Sequence, residues 1–92
     1  MSKKRDKLEI IYDILKAISN GRGNIKPTHI LYKSNLSHQM FKEYMSELME
    51  KSFIVEEEDK NSKKTYKLTD KGTGYLRDYR VMMSFIESYG LD

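Results

Sequence analysis

His29 and His38 are the only histidines, they stand nine positions apart, and the chain has no cysteine. A metal centre needs three or four such ligands converging on one point, so neither their number nor their spacing makes a metal set. Gly21-Arg22-Gly23 is too short to cradle a phosphate, and no strand-like run precedes it. Glu56, Glu57 and Glu58 read as a solvated strand face rather than as an acid–base pair. No catalytic set emerges, so an enzyme, a cofactor, a bound metal and a small-molecule substrate are not expected. What remains is a group of cations and amides. Lys60, Lys63 and Lys64 surround Asn61-Ser62, and Ser37, His38, Gln39 and Lys42 lie one segment earlier. Lysine holds phosphate as a point charge, and a glutamine amide matches the donor–acceptor pair on the edge of adenine.

The distribution of charge supports an anionic partner more than its sum does. The net charge is +3 over 92 residues. Residues 1–36 hold eight Lys/Arg against three acids, 37–59 two against seven, and 60–74 five against one. Two basic segments thus bracket an acidic one, and a polyanion meets selected parts of the surface. Apolar residues make up 38% and charged residues 34%, enough for one small core and little more. No run approaches the length of a membrane span, and MSKKRDKLE lacks the apolar centre of a signal peptide. With no cysteine, the composition suits a cytoplasmic protein.

Periodicity supplies the elements that position these residues. Leu8, Ile11, Tyr12, Leu15 and Ile18 recur at helical spacing, with Asp6 and Glu9 as an N-terminal cap, and Asn20-Gly21-Arg22-Gly23-Asn24 ends the helix. Ile10 and Ile14 fall beside this stripe, which predicts either deep burial or a second packing partner. Pro27 suits a first helical turn, so Thr28 to Lys33 reads as a short helix. Ser37 caps a third helix whose stripe is Phe41, Tyr44, Met45, Leu48 and Met49, with Leu36 before the cap and His38, Gln39, Lys42 and Glu43 outside. Two helices joined by a short turn, the second polar on its outer first turns, make a helix-turn-helix. Phe53-Ile54-Val55 and Thr65-Tyr66-Lys67-Leu68 read as antiparallel strands around an Asp59–Lys63 loop. Thr69 caps a last helix from about Asp70 to Tyr89, carrying a heptad seam of Leu76, Tyr79, Met83 and Ile86.

The fold class expected is mainly α with a small β-hairpin, a winged helix-turn-helix with an extended C-terminal helix. A domain over 1–74 is followed by a dimerisation helix over 75–92. In that reading the third helix enters the major groove, with His38 and Gln39 toward base edges. Lys42, Lys60, Lys63 and Lys64 meet phosphate, and Lys3, Lys4, Arg5, Lys26 and Lys33 add backbone contacts. The seam, with Ile10 and Ile14, forms a homodimer. In an antiparallel pair Arg77 and Arg80 meet Asp78 and Glu87, whereas a parallel pair sets like positions side by side, and the residues leave both orientations open. The acids Glu43, Glu47 and Glu50 on the third helix oppose phosphate, and they leave a protein-interaction module as the second expectation.

The run IKPTHILYKSNLSHQMFKEYMSELMEKSFIVEEE, followed by YKLTDKG, resembles the archaeal ten-kilodalton winged-helix DNA-binding proteins, counted among chromatin proteins. The matches include Thr28, Ile30, Tyr32, Leu36-Ser37, Tyr44, Leu48, Glu50-Lys51 and Leu68 to Gly72, and KLEIIYDILKAI is similar as well. The resemblance implies a nucleoid-associated dimer whose last helices pair in an antiparallel coiled coil. The sequence departs from the family at Ser52, where glycine is usual, and at His29, where a basic residue is frequent.

Overall fold

A computed structural model describes residues 5–92. The order is α1 (Lys7–Asn20), α2 (Pro27–Ser34), α3 (His38–Glu50), β1 (Ile54–Glu58), β2 (Lys64–Leu68) and α4 (Asp70–Ser88). Each helix start follows from a local signal. Asp6 accepts from the Glu9 amide at 2.8 Å, Ser37 from the Met40 amide at 3.2 Å, and Thr69 from the Gly72 amide at 3.2 Å. Pro27 opens α2, and Asn35 ends it in the left-handed conformation that asparagine tolerates. Among the described residues no helix is long and apolar enough to cross a membrane.

α1 is the axis of the core. Ile10, Ile11, Ile14, Leu15 and Ile18 cluster with Ile25, Ile30, Met45, Leu48, Ile54, Tyr66 and Leu76. The burial corrects one expectation and decides another between its two alternatives. Leu8 remains 47% exposed, whereas Ile14 has no exposed surface and Ile10 only 6%. A helix packed against α2, β2 and α4 together buries a wider arc than a single stripe implies. Ile10 and Ile14 belong to the core of their own chain, and so does Leu76. Side chains with so little free surface are not available to a second subunit, so Ile10, Ile14 and Leu76 pack in the core instead of the expected dimer interface.

The hairpin pairs Ile54 with Leu68 through Glu58 with Lys64, one strand end to the other. A third chain segment joins its edge, since the Tyr66 amide donates to the Ile25 carbonyl at 3.2 Å. The base of the hairpin is tied to both helices that flank it. Thr69 Oγ1 donates to the Ser52 carbonyl at 2.6 Å, the Thr69 amide to the Phe53 carbonyl at 3.1 Å, and Lys71 Nζ to the Lys51 carbonyl at 2.8 Å. The Leu-Thr-Asp-Lys-Gly closure is therefore a joint between the end of α3 and the start of α4.

Ser52 lies in that joint at φ 64°, left-handed backbone in which a Cβ is disfavoured. Its departure from glycine thus falls where glycine fits best. Ser52→Gly is expected to raise stability by about 0.5–1 kcal/mol, read as a higher denaturant midpoint. A lower midpoint would mean that the serine makes a compensating contact.

Candidate nucleic-acid interface

α3 turns Met45 and Leu48 into the core and presents Gln39, Lys42, Glu43 and Ser46 on the opposite side. These four stand at i, i+3, i+4 and i+7, one straight stripe of a helix. All four are exposed, as are Ser37 and His38 at the helix start. Gln39 Nε2 donates to Glu43 Oε2 at 3.1 Å. Ser46 was not singled out from the sequence, although its position seven residues after Gln39 already places it on the stripe.

The acids of α3 do not all act alike. Glu47 lies 2.9 Å from Lys7 Nζ and 2.8 Å from Lys51 Nζ. Hydrogen bonds from Lys51 and then Lys7 hold its carboxyl at about 2, well below the ordinary value, and the same contact raises Lys7. Glu47 therefore carries two cations of its own and ties α1 to α3. Nothing in the local sequence announces the Lys7 contact, which crosses between helices.

The hairpin resolves its own change of sign. Glu56 faces Lys64 at 3.9 Å and Glu57 faces Lys67 at 3.7 Å, while Tyr66 Oη donates to Glu56 at 2.9 Å. Acids of β1 are thus matched by lysines of β2. Asp59 organises the loop by accepting from the amides of Asn61 at 2.8 Å and Lys63 at 3.0 Å, and from Lys26 Nζ at 2.9 Å. Lys26 first, then those amides, hold the Asp59 carboxyl at about 2. An aspartate that opens a turn by bonding the amides beyond it is a sequence-readable signal. Among the described residues no carboxylate pairs with Lys42, Lys60 or Lys63, and all three are exposed.

Other expected contacts are placed elsewhere. Lys26 is engaged by Asp59, and Lys33 lines a groove between α1 and α2 with Asp13, Lys16, Ala17 and Asn20. Arg5 is held by Asp13 at 2.6 Å and by the Asn35 carbonyl at 3.1 Å. Lys3 and Lys4 lie outside the described residues. The two histidines sit on different helices, His29 on α2 and His38 at the first position of α3.

The seam of α4 divides in two. Leu76 is buried in its own chain, and Tyr79 stacks on Tyr12 of α1 with centroids 4.4 Å apart. Arg80 Nε donates to Tyr12 Oη at 3.3 Å, and Tyr75 Oη to the Leu8 carbonyl at 2.6 Å. Beyond this anchored half Met83 and Ile86 are half-buried, whereas Val81, Met82, Phe85 and Tyr89 are exposed, Phe85 by 59% and Tyr89 by 69%. A groove of about 200 Å³ between Leu8, Tyr75, Asp78, Tyr79 and Met82 leads onto the exposed half.

Residues 4–87 match the family described as winged helix-turn-helix. An uncharacterized protein of Methanocaldococcus jannaschii is 39% identical over 71 residues, which are 77% of this chain, and the match spans 30% of the length of that relative. Two solved structures share the fold. One is Sso10a-2, a DNA-binding protein from Sulfolobus solfataricus, with a TM-score of 0.77 and 20% identity over 92% of this chain and 85% of its own. The other is the PcaV transcriptional regulator from Streptomyces coelicolor, in complex with its natural ligand. Its TM-score is 0.78 at 18% identity, over 98% of this chain and 63% of its own.

Proposed function

The chain belongs to the winged helix-turn-helix family, and from that premise we propose that it binds duplex DNA, with α3 in the major groove and the wing tip on adjacent phosphate. The observation that carries this is the set of exposed cations Lys42, Lys60 and Lys63, without a carboxylate partner among the described residues, on the outer face of α3 and at the tip of the hairpin that follows it. Lys64 remains exposed at the edge of its loose pairing with Glu56 and adds to the same grip. Ser37 caps α3, and His38 and Gln39 occupy its first turn, where a helix entering the groove meets base edges. The internal pairing of Glu47 removes one of the three acids that argued for a protein-interaction module and leaves Glu43 and Glu50. One fold neighbour is a DNA-binding protein and the other a transcriptional regulator, which supports the same reading. A chromatin-associated or regulatory role in the nucleoid, within the cytoplasm, follows from it.

Neutralising about five phosphates per bound unit gives log K a slope near −4 to −5 against log salt. Lys60, Lys63 and Lys64 changed together to Ala are expected to weaken binding to all duplexes alike and to flatten that slope by about 3. Titration of labelled duplexes over a salt series checks both. Affinity indifferent to salt would remove the proposal.

The functional unit in this reading is a homodimer joined through the exposed half of α4, a short coiled coil. Met82, Phe85 and Tyr89, exposed, with Met83 and Ile86, half-buried, supply an apolar face that the winged body leaves partly open. Each Å² withdrawn from water contributes about 25 cal/mol before the cost of association. Met83→Lys with Ile86→Lys is expected to give a monomer with much weaker DNA binding, because two linked ends bind with avidity. Sedimentation of the unmodified protein as a monomer at tens of micromolar (roughly the range in which such a face should pair) would overturn the dimer.

A further inference from the structure

We infer that Glu43 is a specificity-determining residue of α3, positioning the Gln39 amide so that it reads adenine. The inference rests on α3 facing DNA. Glu43 is exposed on the outer stripe and, unlike Glu47, has no cation within ion-pair distance among the described residues. A bare carboxylate on the face that meets a polyanion weakens any grip on the backbone. A carboxylate there can accept from a base-edge donor or from a neighbouring side chain, and the donor it holds is Gln39 Nε2 at 3.1 Å.

That contact fixes the amide. An ionised carboxylate accepts and never donates, so the NH₂ end of Gln39 must face Glu43 and its carbonyl oxygen must point away. The reversed amide would set oxygen against oxygen. One hydrogen of the NH₂ group is used by Glu43, and the other remains free beside the free Oε1. A donor and an acceptor in that order complement N7 and the N6 amino group of adenine in the major groove. Without Glu43 the amide adopts either orientation, and only one of them fits. The same carboxylate disfavours close approach of phosphate to this stripe, which leaves base edges as the favourable contact. Lys42, one position before it, supplies the charge that keeps the helix near DNA.

The test is selection from random duplexes, followed by titration of the best duplex and of one with its adenine replaced. It uses the full chain, Gln39→Ala, Glu43→Ala and the double variant. The unmodified protein is expected to prefer the adenine duplex by about 5- to 150-fold. Glu43→Ala should lose most of that preference while binding unrelated duplexes more tightly at low salt, since an anion has been removed. Gln39→Ala should lose the preference without that gain. The double variant should lose no more preference than either single change, which marks two residues acting as one unit. Full adenine preference in Glu43→Ala, or additive losses in the double variant, would overturn the inference. Salt-dependent binding without base preference in the unmodified protein would overturn it too, and would leave the DNA-binding reading standing. Absence of duplex binding at any salt would remove both.

Discussion

Ile14→Ala is expected to destabilise the fold by about 2–5 kcal/mol, and to do so equally at low and high protein concentration. Ile14 has no exposed surface and sits in the cluster that joins α1 to Leu48, Ile54 and Leu76. Removing its outer carbons leaves a cavity whose walls come from several elements, so no single side chain can close it. A domain of this size holds roughly 5–10 kcal/mol in total, and the change therefore takes away a large part of its stability. The melting temperature should fall by roughly 10–30 °C. Were Ile14 instead at a subunit interface, the variant would lose dimer and keep a stable monomer. Melts at two concentrations separate the outcomes, and an unchanged monomer melt would reject the core assignment.

That example also shows where the sequence was legible. Caps at Asp6, Ser37 and Thr69 and the helix start at Pro27 are local signals that stand where their residues place them. Both strand arms form, the first from Ile54 rather than Phe53 and running on to Glu58. The outer face of α3 was legible too, because one apolar stripe on a half-buried helix leaves its opposite side unambiguous. α1 was legible in part: its wide apolar arc announced deep burial of Ile10 and Ile14, but a single-stripe reading puts Leu8 inside and does not show that three neighbours cover the helix. α4 misleads in a related way. Its seam is continuous in sequence, yet the first half is covered by α1 and the second is not. Pairings such as Lys7 with Glu47 and Lys26 with Asp59 join residues 40 and 33 positions apart, respectively. Composition alone cannot match such partners.

The third and fifth residues of α4, Gly72 and Gly74, are expected to respond to alanine with opposite sign. Gly72 is buried at the third helical position, and a Cβ there would collide with the Phe53 carbonyl oxygen. That oxygen is backbone and already accepts from the Thr69 amide. Moving it disturbs Ile54, the next residue and part of the core. Gly72→Ala should therefore cost about 1–3 kcal/mol, with the joint between α3 and α4 loosened. Gly74 meets nothing nearer than Arg77 Nη2 at 3.5 Å, a mobile tip. Gly74→Ala should gain up to about 1 kcal/mol, the ordinary benefit of alanine in a helix. Urea midpoints for the two variants decide the matter. A gain in both would show that the hairpin base tolerates a methyl group, and the closure would then not require glycine at its last position.

The division of α4 has a consequence for amide hydrogen exchange. Amides from Tyr75 to Arg80 lie where Leu76 is buried, Tyr79 is stacked and Tyr75 is hydrogen-bonded to α1, so they open only when that packing opens. Those from Met82 to Ser88 belong to helix with little tertiary cover, and they exchange through cheaper local fraying from the C-terminal end. In dilute protein the protection along α4 should therefore fall in a step near Val81 rather than as a gradient. Pairing of two chains would remove the step, and the protection of Met82 to Ser88 would then rise with concentration while that of Tyr75 to Arg80 stays fixed.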